Sequence, residues 1–91
     1  MIEKKKEYSI FYDNGVRKLK GEYINNIKNG AFKGYYITGN TEYEGFYKDG
    51  IKDGVWTFYS NDGRIIKTIL YKKGEILQEK IYSEEIIILK E

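Results

Sequence analysis

Residues 43–63, YEGFYKDGIKDGVWTFYSNDG, decide the fold. Two aromatic runs, residues 43–48 and 55–60, flank a Gly/Asp segment, and Asn61-Asp62-Gly63 closes the unit. Tyr, Phe and Trp favour a pleated, half-buried surface. Gly and Asp supply the backbone freedom and local hydrogen bonds of turns. The stretch therefore reads as strand, turn, strand, turn.

Working outward, the same unit recurs. Sliding the chain on itself by 24 residues aligns Gly15, Gly39 and Gly63, then Tyr23, Tyr47 and Tyr71. Gly21 falls on Gly45, Gly30 on Gly54, Phe32 on Trp56 and Gly50 on Gly74. Phe11-Tyr12 meets Tyr35-Tyr36, while Phe58-Tyr59 arrives one residue early, so the third turn is expected to hold an extra residue. A fixed period of strand–turn–strand content indicates hairpins added side by side. Because the shift is even, equivalent residues lie on one face of the sheet.

The expected fold is all-β, an antiparallel meander of seven or eight strands in a single twisted or curled sheet. Strands are predicted over residues 8–12, 16–24, 31–37, 41–48, 55–60, 64–72 and 75–82, with polar connections over 25–30 and 49–54. Residues 83–91 could start as a helix cap at Ser83-Glu84-Glu85, but Ile86-Ile87-Ile88 is β-branched and favours a capping strand. That apolar end is expected to pack on the sheet or to pair with a second chain. The whole is one domain, residues 1–91, with repeats at about 8–34, 35–57 and 58–82. Gly21 and Gly45 lie inside strands, where a neighbouring ring can cover the gap, Phe32 for Gly21 and Trp56 for Gly45.

Composition narrows the function. The 91 residues contain no Cys, His or Pro. The commonest catalytic base and metal ligand is missing, as is any disulfide or Cys-based zinc site. An acid–base or nucleophile set of the usual kind is therefore not expected, and the chain is read as no enzyme, with no cofactor and no metal. The segment Asp49-Gly50-Ile51-Lys52-Asp53-Gly54 faintly resembles a calcium loop, but Lys52 intrudes and oxygen ligands are too few. Sixteen Lys/Arg face fourteen Asp/Glu, with no basic stripe, which argues against nucleic acid and weakens attraction to anionic lipid. The longest apolar run, residues 86–89, is far short of a bilayer span. The charged start is no signal peptide, so a cytoplasmic location is expected.

Ten Tyr, four Phe and one Trp remain to be explained. Rings in a sheet usually pack across strands. Those the chain cannot bury by itself are candidates for a contact surface, since Tyr and Trp are favoured at interfaces. The candidate binding residues are Tyr23, Tyr36, Tyr43, Tyr47, Trp56, Tyr59 and Tyr71.

The run Tyr43-Glu44-Gly45-Phe46-Tyr47-Lys48-Asp49-Gly50, then Asp53-Gly54-Val55-Trp56, then Tyr59 and Asp62-Gly63, resembles the MORN repeat, and more closely its bacterial variant. The resemblance covers residues 8–76. It is weaker in the first unit, where Asn26 replaces the turn glycine matching Gly50, and in the third, where Ile69 replaces the strand glycine. It implies an elongated hairpin sheet and a non-catalytic role in protein binding or scaffolding, with an unidentified protein as partner or a second copy through edge strands. Two alternatives follow from it: an antitoxin or immunity protein that blocks a cognate toxin, and association with a lipid or membrane surface.

Overall fold

The computed structural model describes residues 3–82. Seven strands follow one another in sequence and in space: β1 Lys5–Phe11, β2 Arg17–Ile24, β3 Ile27–Tyr35, β4 Thr41–Lys48, β5 Ile51–Tyr59, β6 Ile65–Lys72 and β7 Glu75–Ile81. Every neighbouring pair is antiparallel, so the described residues form an open, single-layer meander. The expected all-β hairpin sheet is therefore present. The expected strand at residues 83–91 lies outside the described residues.

Two kinds of turn alternate. At one end of the sheet the connections are two residues long: Asn25-Asn26, Asp49-Gly50 and Lys73-Gly74. All six residues have positive φ, between 50° and 84°. Positive φ at both central positions defines the type I′ turn, whose twist matches that of the flanking strands. The six-residue connections expected at 25–30 and 49–54 are thus corrected. Ile27 and Ile51 already belong to strands, and Asn26 does the work of the missing glycine at φ 66°.

At the other end the turns are wider. The amide of Tyr12 donates to Val16 O and that of Gly15 to Tyr12 O, at 2.7 and 2.9 Å. The same pair of bonds recurs at residues 36–40 and 60–64. The third turn therefore holds no extra residue: Ser60 stands where Tyr12 and Tyr36 stand, and the period remains 24. The aromatic pair at residues 58–59 is offset because Ser60 has taken its second position.

Gly30 and Gly54, expected in connections, lie inside β3 and β5 at φ 115° and 74°. Gly21 pairs with Phe32 and Tyr23 with Lys28, so the ladder is broken at residues 29–31. The β4–β5 ladder breaks in the same way at residues 54–56. Such bulges bend the strand and re-aim its side chains. In the first, the Glu22 carboxylate accepts the freed Ala31 N–H at 2.8 Å.

Alternation along the strands sets two faces. The front face carries a row running across neighbouring strands: Tyr8, Gly21, Phe32, Gly45, Trp56, Ile69. Rings alternate with glycines along it. A Cβ on Gly21 would lie 2.5 Å from the Phe32 ring, and one on Gly45 would lie 2.2 Å from the Trp56 ring. Both expected ring-over-glycine contacts are present. A third was not anticipated: Tyr43 lies against Gly34, where a Cβ would meet its ring at 2.1 Å.

Tyr23, Tyr47 and Tyr71 interleave with this row. The six rings Tyr8, Tyr23, Phe32, Tyr47, Trp56 and Tyr71 form a ladder across β1 to β6, with successive centroids 5.3, 5.8, 4.6, 5.1 and 6.4 Å apart. Aromatic pairs in this range contribute about 0.5–1.5 kcal/mol each beyond their buried area. A single layer thus makes its own core, with Phe32 and Trp56 each 3% exposed and Ile69 7%.

Candidate functional site

The expected binding residues divide into three sets. Tyr23, Tyr47, Trp56 and Tyr71 belong to the front ladder, and Tyr43 lies beside it, stacked on Trp56 at 6.0 Å. Tyr36 sits at a turn, and its hydroxyl donates to Tyr59 O at 2.6 Å. Tyr12 makes the equivalent bond to Tyr35 O at 2.7 Å, so this tyrosine stitches one wide turn to the next hairpin. The Tyr59 hydroxyl reaches the back face and donates to Glu44 Oε1 at 2.5 Å. The seven residues do not form one surface.

Nor is the front ladder bare. Lys28 Nζ sits 5.5 Å from the Phe32 centroid and 4.9 Å from that of Tyr47. Twenty-four residues on, Lys52 Nζ lies 5.0 Å from Trp56 and 5.2 Å from Tyr71. A lysine laid over a ring covers it with its methylene stem while the ammonium meets the π face. The repeat thus supplies its own cation to each ring pair, and the most aromatic face is largely self-satisfied.

Two tyrosines have raised pKa values. Burial is the main cause at Tyr43, helped by the Glu42 charge. At Tyr59 the hydrogen bond to Glu44 is the main cause. In the wide turn below, Asp62 is held under the usual carboxylate value by the Ser60 hydroxyl and then by Arg64, whose Nε lies 3.0 Å from Oδ2. These bonds order the Ser60–Arg64 turn.

Apolar side chains are exposed in several places, Ile81, Leu77, Ile76 and Phe11 among them, and one central patch of them is on the back. Phe46 is 58% exposed and Val55 54%, with Ala31 directly opposite Phe46 and Leu70 opposite Val55. Phe46 and Val55 were not among the expected residues. The readable signal was the alternation Glu42, Glu44, Phe46, Lys48: a ring occurs on a face that is otherwise charged.

Around this stripe the back face is hollowed. Four depressions, of about 450, 490, 260 and 410 Å³, follow one another along β4 and β5. Lys48 and Asp53 line both the first and the second, Phe46 the second and third, and Lys33 and Glu44 the third and fourth. They make one groove running from the type I′ end to the wide-turn end. Gly30, Gly54 and the small Ala31 line it, and Phe46 stands between its second and third depressions.

Comparison of the chain with protein-family models, with curated proteins and with solved structures returned no match.

Proposed function

We propose that the chain is a MORN-like hairpin-repeat module that binds a protein partner without catalysis, and that it does so through the back face. The observation that carries this reading is the exposure of Phe46 and Val55 within the groove, while the central front rings Phe32, Tyr47, Trp56 and Tyr71 are covered by Lys28 and Lys52. An exposed apolar stripe rimmed by polar groups marks a contact surface. A large ring at the centre of a depression is the kind of residue on which binding energy concentrates.

The test is cross-linking in cells of the native source. Wild-type protein is compared with Phe46→Ser and with Val55→Ser, both verified as folded by circular dichroism. A discrete partner band that both substitutions remove supports the reading. A band that survives both places the contact elsewhere and overturns it.

A further inference from the structure

The groove is chemically polarised, and its polarity specifies an occupant. At the type I′ end, Lys48, Lys72 and Lys73 surround exposed Ile51, against two carboxylates, Asp49 and Asp53, while the ammonium of Lys52 lies over the front rings. Asp49 is turned toward Asn29, whose Nδ2 donates to it at 3.5 Å. Among the described residues Lys48, Lys72 and Lys73 take part in no ion pair, whereas Lys5, Lys20 and Lys67 do. The far end is different. It presents Asn40, Asn61, Glu44 and Asp62, the last ion-paired to Arg64, with Lys33 as the one cation of the lining itself.

We propose that the groove binds an extended segment of a partner protein, apolar in its middle and acidic at the end that lies on Lys48, Lys72 and Lys73. This rests on the back-face reading above and adds the partner's chemistry and direction. The groove follows strands of eight and nine residues. At roughly 3.3 Å per residue, an extended segment of about eight residues matches its length. Apolar side chains on one side of that segment meet Phe46 and Val55, and its carboxylates answer the free lysines. Such charge matching mainly sets partner choice and orientation. An anionic bilayer fits less well, because the Glu44 carboxylate at the far end would face the same negative surface.

The experiment uses the full chain and three synthetic probes of about eight residues. Two share an alternating Val/Thr centre. One ends in three glutamates, one ends in three lysines, and one is the acidic probe with its centre changed to Ser/Thr. Binding is read by fluorescence anisotropy, and vesicles containing phosphatidylserine are tested in parallel by sedimentation.

The acidic apolar probe should bind about tenfold or more tightly than the lysine-ended one. That preference should collapse in Lys48→Glu/Lys72→Glu protein and in high salt. Phe46→Ser should abolish binding of both apolar probes. Equal affinity for the two probes, lost in Phe46→Ser, would leave the back-face reading intact and overturn the acidic partner. No probe binding, or binding indifferent to Phe46, overturns the proposal. So does vesicle binding without peptide binding, which assigns the face to membrane, and so does self-association that Phe46→Ser removes, which assigns it to a second copy. The reading of the face itself fails separately, by cross-links that survive both Ser variants.

Discussion

Trp56 is buried to 3% exposure in a sheet that, among the described residues, has no second layer. It manages this because Gly45 lets its ring lie on the backbone, Tyr47 and Tyr71 flank it edge-on, and Lys52 lies over it. Its Nε1–H donates to Phe46 O at 3.1 Å, so the one polar atom is satisfied. Gly45→Ala would place a methyl 2.2 Å from the ring. Overpacking of this kind costs about 1–3 kcal/mol. Urea denaturation should show that loss, and a variant as stable as wild type would contradict the ring-on-glycine account.

A second residue-scale prediction concerns alkali. The folded pKa of Tyr43 is raised above its ordinary value of 10.0, chiefly by burial. The neutral phenol is the form the fold favours. Its contribution is therefore fully present below pH 10.0 and is lost as pH rises through the raised folded value. Tyr59 behaves in the same direction through its bond to Glu44. In an absorbance titration of the folded chain these two phenols should ionise in a late phase above the ordinary value of 10.0. Tyr43→Phe and Tyr59→Phe should each remove part of the late phase, and an unchanged curve in both would refute the assignment.

At the scale of elements, the turns differ in how well their residues suit them. The type I′ turns use Asn25-Asn26, Asp49-Gly50 and Lys73-Gly74. Asn, Asp and Gly tolerate positive φ, whereas Lys73 at φ 50° carries no such adaptation. Lys73→Asn should stabilise the β6–β7 hairpin by about 0.5–1 kcal/mol, visible as a raised melting temperature. A fall would mean that Lys73 makes a contact worth more than the turn preference. The series also ends here. Ile69 replaces the strand glycine and fills the front-face position itself, buried at 7% exposure. Gln78 stands 24 residues after Gly54, and the β6–β7 register shifts only between Leu70 and Tyr71. The last hairpin thus loses the glycine that allows the wide break at residues 54–56.

This is also the scale at which sequence reading was partly misled. Gly30 and Gly54 look like turn residues because isolated glycines near Asp and Asn usually are. Here they serve bulges, and the strand is already under way at Ile27 and Ile51. Nothing local distinguishes the two uses. The distinction comes from the ladder, where the partner strand either continues across the glycine or does not.

For the whole molecule, one layer must hide its rings on one side and tolerate exposure on the other. The front face closes on itself by repetition, the first two units each supplying a ring, a glycine and a lysine to their neighbours. The back face has no such closure at Phe46 and Val55. Removing the Phe46 ring should consequently leave the melting temperature nearly unchanged while removing the cross-linked partner, the reverse of the expectation for Gly45→Ala. The period of 24, the hairpin content and the even shift that holds equivalent residues on one face were legible in the order of glycines and tyrosines, because those are local backbone and alternation requirements. Which rings remain free was decided only by the tertiary structure. Exposure depends on register, and register decides whether a ring finds a glycine beneath it and a lysine above it. The densest aromatic stretch, residues 43–63, therefore contributes Tyr43, Tyr47 and Trp56 to the core, and leaves Phe46 and Val55 facing outward.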